Sequence, residues 1–158
     1  MLLSMPVMML CVAAVLAGAG AVFAFARRIP APLVTFAGLA VAAFSGMTAF
    51  GSGSLWFWGM AALIASGIAY LEPVPAPRAM RIYTVAGALA GAFVGLVAGT
   101  QTWVIVASAA GAVLGRLAYA RTPRGASGAL RRDALAAVAL PAVVNFSMLM
   151  LILAQTIR

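Results

Sequence analysis

The side chains that most enzymes use for catalysis are almost missing from this sequence. Its 158 residues include two acidic residues, one cysteine and no histidine. Glu72 and Asp133 lie at the ends of long apolar runs, and Cys11 lies inside one. Acid–base pairs, activated nucleophiles and metal clusters each need several such groups close together. The sequence therefore predicts a protein that is not an enzyme, without catalytic residues, a metal site or a cofactor.

The amide of Asn145 is the polar group expected deepest in an apolar segment. Asn145 follows Pro141 by four residues, so the two lie about one helical turn apart on roughly the same face. Pro141 has no N–H for the carbonyl of Ala137, which leaves a polar backbone group to be satisfied by a neighbour. We expect a structural hydrogen bond from Asn145 to another helix or, as the alternative, a polar lining or kinked gate.

All ten basic residues are arginines, and the formal net charge is +8. They fall in short loops between apolar runs, where they orient a membrane protein, so we do not expect nucleic-acid binding. Five of them are candidate contacts for anionic lipid headgroups: Arg116, Arg121, Arg124, Arg131 and Arg132. The alternative is that these arginines only set the orientation of the chain.

Long apolar segments must position these residues. The chain is 66% hydrophobic and 8% charged, with a mean hydropathy of +1.15. A membrane helix needs about 20 apolar residues. Six candidate spans result, at about 5–25, 33–50, 55–71, 82–99, 103–120 and 134–154. We predict an all-α integral membrane protein with one transmembrane domain over residues 1–158, a glycine-rich bundle of three helical hairpins; four full spans and a re-entrant hairpin are the alternative.

The arginines also predict the orientation of the six spans. In this topology nine arginines lie on one side of the membrane and Arg158 alone lies on the other. Cytoplasmic loops carry an excess of basic residues. We therefore expect both termini on the outer side of a cytoplasmic membrane.

A glycine stands at every fourth position in the fourth span: Gly87, Gly91, Gly95 and Gly99. The fifth span has small residues at the same step: Ala107, Gly111 and Gly115. Small residues allow two membrane helices to approach closely. The pattern predicts a tight contact along these positions, either within the chain or between chains.

The order of these segments resembles a family of small bacterial membrane proteins, the domain of unknown function numbered four-five-six. The resemblance depends on the proline-containing loop "RRIPAP", on "VAGALAGAFVGLVAG" and on "SAAGAVLGRL", followed by a basic loop and a final apolar span. It implies a glycine-rich multi-pass fold in the bacterial inner membrane, and it implies no activity or site residues.

The leading functional hypothesis is a non-catalytic membrane subunit that acts through glycine-mediated helix packing. Its partners are the bilayer with its anionic lipids and either further copies of itself or other membrane subunits. The alternative is a small channel or transporter for an uncoupled solute or a lipid, with Pro141, Asn145 and the glycine groove along the path.

Overall fold

The computed structural model describes residues 4–26, 30–46, 48, 50–71, 76–123 and 132–156. These residues form six helices and no strand. In chain order the helices are α1 (Met5–Phe23), α2 (Ala31–Phe44), α3 (Ser52–Leu71), α4 (Arg78–Val97), α5 (Gln101–Ala120) and α6 (Arg132–Thr156). The prediction of an all-helical protein is confirmed for this part of the chain.

Five of the six helices are long and apolar enough to cross a membrane, and α2 is the exception. α2 has 14 residues. At 1.5 Å per residue it extends about 21 Å, whereas the hydrocarbon core is about 30 Å thick. The helix is therefore shorter than the span predicted over 33–50, and five long helices differ from the alternative with four full spans.

Polar residues end α2 after Phe44. The hydroxyls of Ser45 and Thr48 both donate to the carbonyl oxygen of Ala42, at 2.6 and 2.8 Å. Gly46 follows with a φ of +70°, a conformation that ends helices and that glycine adopts at little cost. The apolar composition of 33–50 concealed this stop because Ser45, Gly46 and Thr48 are only three residues in an otherwise apolar run.

A three-residue connection joins α4 to α5. Gly99 has a φ of +82°, and its N–H donates to the carbonyl of Leu96 at 3.0 Å. The hydroxyl of Thr100 then caps α5 by accepting from the backbone N–H of Trp103 at 3.4 Å. This tight turn brings the chain directly back along α4.

α6 lies at the centre of the bundle and contacts each of the other five helices. In its most apolar stretch, Ala136–Gln155, 56% of the residues are buried, against 17 to 33% for the other four long helices. Two apolar clusters meet on it. Val138, Ala142, Phe146 and Met150 pack with α4 and α5, and Val144, Met148 and Ile152 pack with α1, α2 and α3.

Candidate functional site

The backbones of α4 and α5 meet along the glycine positions of both helices. A methyl group at Gly87 would collide with the carbonyl oxygen of Gly111, and one at Gly91 would collide with the carbonyl oxygen of Ala107. The paired positions rise along one helix as they fall along the other. α4 and α5 are therefore antiparallel, and a side chain at either glycine would have to displace backbone.

The same contact continues at Gly95 and Gly115. A Cβ at Gly95 would lie 2.5 Å from the carbonyl oxygen of Trp103, and one at Gly115 would collide with the carbonyl oxygen of Tyr83. Gly99 is different, because it lies beyond the end of α4 and a Cβ there meets nothing within 4 Å. The predicted packing role of Gly99 is therefore corrected to that of a turn residue.

No path runs along the glycine groove in the described part of the chain, because α5 fills it. The neighbouring interface between α4 and α6 is packed around Val85, Ala92 and Phe146. At the far end of these helices a cavity of about 270 Å³ lies between α4, α5 and α6, and its lining residues are Leu96, Gly99, Thr100, Gln101, Val104, Ser147, Met150, Leu151 and Ala154. The route between the glycine helix and the last span therefore stays a prediction. Polar groups converge instead on the opposite side of α6, where α1 and α2 pack.

Asn145 joins three helices at that junction. Its amide oxygen accepts from the Thr35 hydroxyl of α2 at 2.6 Å, and its amide nitrogen donates to the Gly20 carbonyl of α1 at 3.4 Å. Thr35 and Asn145 both have an exposed fraction of 0%. We call Gly20, Thr35 and Asn145 the polar triad. The predicted interhelical hydrogen bond of Asn145 is present.

Close approach of α1 to α2 makes the polar triad possible. A methyl group at Gly20 would collide with the hydroxyl oxygen of Thr35. Further along, a Cβ at Gly38 would lie 2.9 Å from the carbonyl oxygen of Ala13 and 3.1 Å from the backbone nitrogen of Ala17. Small residues therefore bring the α2 backbone and the Thr35 hydroxyl to the centre of the bundle.

A cavity of about 60 Å³ opens at one end of the bundle. It lies where α1 and α3 end and where α2 and α4 begin, beside the first half of α6. Its lining residues are Phe23, Ala24, Ala26, Pro30, Ala31, Pro32, Ser66, Ala69, Tyr70, Arg81, Ala137, Val138, Pro141 and Ala142. We call it the end cavity. A single water needs about 10 to 15 Å³ of such space, so the end cavity has room for a few waters or a small solute.

The polar triad lies one helical turn deeper than the end cavity on three helices. Thr35 follows the lining residue Ala31 by four positions, Gly20 precedes Ala24 by four, and Asn145 follows Pro141 by four. The hydrogen bonds of the triad therefore close the bundle directly below the cavity.

The wall of the end cavity carries polar groups. Ser66 is 5% exposed, and its hydroxyl has no hydrogen-bond partner among the described residues. Pro141 removes the usual donor to the carbonyl of Ala137, and both residues line the cavity. Arg81 and Tyr70, which also have interactions of their own, line the cavity as well. Donors and acceptors therefore face a space at the end of an otherwise apolar bundle.

No protein-family model, characterised protein or solved structure matches this chain. The resemblance to the family numbered four-five-six stays a prediction.

The predicted lipid-contact arginines do not share one environment. Arg121 is exposed directly after α5, whereas Arg116 is 8% exposed on the packed face of that helix. Arg132 begins α6, and Arg124 and Arg131 lie outside the described residues. The prediction that these arginines contact anionic lipid headgroups stays a prediction. The stem of Arg116 packs in the bundle, because it shares a face of α5 with Ser108, Ala112 and Gly115.

Sequence reasoning identified Asn145 and Pro141 but missed Gly20, Thr35 and Ser66. One signal for Thr35 was present, since it is the first polar residue in an apolar run and Gly38 follows it by three positions. Nothing in the sequence paired Thr35 with Asn145, because the two residues are 110 positions apart.

Proposed function

We propose that this protein is a non-catalytic multi-pass membrane protein that admits a small polar solute to the end cavity and conducts it past the polar triad. This is the channel or transporter alternative, with the path moved from the glycine groove to the junction of α1, α2 and α6. The observation that carries it is the end cavity with the polar triad directly beneath it. Polar residues inside membrane proteins commonly mark solute pathways.

The direction of the path follows from the arginine distribution. The end cavity lies at the end of the bundle that carries Arg78 and Arg81, and the sequence predicts that end to be cytoplasmic. We therefore propose a bacterial inner-membrane protein with both termini outside, helical hairpins as its substructure and the end cavity open to the cytoplasm. The Asn145–Thr35 hydrogen bond is then the barrier between the cavity and the outer half of the bundle.

Cysteine accessibility tests whether the end cavity contains water. The chain has one cysteine, so Cys11→Ser provides a cysteine-free background. A cysteine at Ser66 should react with a charged, membrane-impermeant thiol reagent from the cytoplasmic side. A cysteine at Ile64 is the matched control, because it lies nearby on α3 with 55% of the side chain exposed on the outside of the bundle. Equal rates for the two variants would contradict a hydrated cavity.

Solute flux tests conduction. Proteoliposomes should take up small uncharged and anionic solutes faster than empty liposomes, measured by light scattering after an osmotic step. Asn145→Ala should increase the rate, because it removes the hydrogen bond that closes the cavity, and Ser147→Ala, on another face of α6, should not. If wild-type vesicles match empty liposomes for every solute, the proposal fails.

The non-catalytic subunit remains a second candidate because α1 has an unoccupied line of small residues. Cys11, Ala14 and Gly18 are exposed, and a Cβ at Gly18 meets nothing within 4 Å. Such a line permits close approach of a helix from a second chain. Oxidation of membranes should then produce a disulfide-linked dimer through native Cys11, and Gly18→Leu should suppress it. A monomer under the same conditions would contradict this candidate.

A further inference from the structure

Arg116 is the one buried charged residue among the side chains that the structure describes, which do not include those of residues 132–135. It lies on α5, four residues before the last helical residue, Ala120, and 8% of its surface is exposed. It makes no hydrogen bond or ion pair with any described residue. Neither the end cavity nor the polar triad includes it.

Packing fixes the stem of Arg116, but its nitrogens are not among the buried side-chain atoms without a partner, so the charged end reaches the surface of the bundle. Arginine stays charged in proteins, and it presents five N–H donors and no acceptor. A cation held at the surface of a membrane bundle favours an opposite charge and acceptors in the plane of the guanidinium. The negative end of the α5 dipole favours a cation here but supplies no such fork of acceptors. Because the whole chain has only two acidic residues, anions from outside the chain are the natural complement.

Further arginines lie at the same end of the α4–α5 pair. The neighbour of Arg116, Gly115, meets the backbone of Tyr83, which lies in the second turn of α4. Since the helices are antiparallel, Arg78 at the start of α4 lies at the same end as Arg121 after α5. The buried Arg116 is thus accompanied by exposed positive charge at the end of the bundle that the sequence predicts to be cytoplasmic.

We propose that Arg116 binds a phosphate group at this end of the α4–α5 pair. A guanidinium forms two parallel, charge-assisted hydrogen bonds to phosphate, which matches a side chain whose stem is fixed by packing. The phosphate group is either part of a lipid headgroup or a free phosphate ion, and the guanidinium would bind both through the same hydrogen bonds. This inference is independent of the end cavity and of solute conduction.

Binding of defined lipids to the purified protein in detergent tests the site. Phosphatidylglycerol supplies the phosphate, and diacylglycerol with the same acyl chains lacks it. The loss of a charge-assisted hydrogen bond corresponds to about a ten-fold or larger loss of affinity. We expect Arg116→Gln to weaken phosphatidylglycerol binding by that factor in native mass spectrometry. Arg121→Gln removes the same charge from an exposed position and should change the affinity less than about two-fold.

Inorganic phosphate distinguishes the two sources. If it raises the melting temperature of the wild type and displaces phosphatidylglycerol, the site takes free phosphate as well. If only phosphatidylglycerol binds, the ligand is a lipid headgroup. Either result supports the proposal when the effect disappears in Arg116→Gln. Arg116→Lys keeps the charge and a long stem but loses the planar fork, so it provides a folded variant with an intermediate affinity if Arg116→Gln does not fold.

Two results would overturn the proposal. One is equal binding of phosphatidylglycerol and diacylglycerol by the wild type, or equal losses in Arg116→Gln and Arg121→Gln, which would indicate diffuse attraction to the membrane. The other involves Asp133. If Asp133→Asn destabilises the protein as much as Arg116→Gln does, and the double variant adds nothing, the two residues form an ion pair within the chain.

Discussion

The two helix contacts richest in small residues differ in what those residues achieve. Between α4 and α5, Gly87 and Gly91 bring backbone against backbone, and the space between the helices is filled. Between α1 and α2, Gly20 brings backbone against the hydroxyl of Thr35, which in turn holds Asn145. The same residue type therefore produces a dry structural contact in one place and a buried polar junction in the other. In a membrane bundle a glycine motif allows two helices to approach closely. The residue opposite the glycine determines whether their contact is apolar or polar.

The largest expected effect is the disruption of the α4–α5 contact by Gly91→Leu. The side chain would have to displace the carbonyl of Ala107, which is backbone and cannot move cheaply. Overpacking of a filled core costs about 1 to 3 kcal/mol even where side chains can adjust, so we expect most of the folded yield to be lost. Size-exclusion profile and melting temperature in detergent measure the change.

Gly18→Leu is the matched control for that variant, because a Cβ at Gly18 of α1 meets nothing within 4 Å. It should leave the monomer's yield and melting temperature close to those of the wild type. Normal yield and stability in Gly91→Leu would contradict the close backbone contact between α4 and α5.

Substitutions in the polar triad should lower the free energy of unfolding less than Gly91→Leu does. The effects of the two substitutions should also be energetically coupled. Thr35→Val and Asn145→Leu each remove one partner of the 2.6 Å hydrogen bond. Interhelical hydrogen bonds in membrane proteins contribute about 0.6 kcal/mol on average and up to about 1.7 kcal/mol. A double-mutant cycle on unfolding in mixed detergents should give a coupling in that range. Independent effects of the two substitutions would show that the bond contributes nothing to stability.

Two buried serines give a smaller contrast, one inside the α4–α5 contact and one on α6 outside it. The hydroxyl of Ser108 donates to the carbonyl of Ala88 at 3.0 Å across the α4–α5 contact, whereas the Ser147 hydroxyl on α6 has no partner among the described residues. Ser108→Ala should cost about 0.5 to 1.5 kcal/mol, the usual net contribution of one hydrogen bond. Ser147→Ala should be neutral or slightly stabilising. Melting temperatures of both variants check the order, and a reversed order would contradict it.

The last prediction concerns orientation and should leave stability unchanged. Cysteines placed at residues 125 and 101 in a Cys11→Ser background should be labelled from opposite sides of the membrane. We expect residue 125 to react from the cytoplasmic side and residue 101 from the outside, because arginine-rich loops favour the cytoplasmic side. The reverse pattern would place the end cavity on the outer side.

Much of the fold could be predicted because composition and segment length leave few alternatives. Apolar runs of near-spanning length must form helices in a membrane, since every backbone polar group needs an internal partner. The ends of the helices were harder to predict from the sequence, as α2 shows. Whether Ser45 and Thr48 lie within a helix or end it depends on two local hydrogen bonds, and hydropathy does not register them.

Residues of the candidate site could be predicted from the sequence only where a single residue was distinctive by its own type and position. Asn145 is polar in an apolar run, and Pro141 lacks an N–H, so both could be identified without a structure. Ser66 could not, because a serine in a glycine- and alanine-rich helix has no distinguishing pattern. Its position beside Pro141 and Arg81 depends on how α3, α4 and α6 pack together.

The sequence by itself determined that this protein is helical and membrane-like, that its basic residues are concentrated in a few loops and that its fourth and fifth helices present small residues at a matching step. Those properties follow from composition and local spacing, which the chain carries whatever its neighbours are. Only the tertiary structure decided that the glycine contact lies within the chain, that Thr35 meets Asn145 and that Arg116 lies on a packed face of α5. Each of these depends on which helix faces which, and side chains far apart in sequence set that choice together.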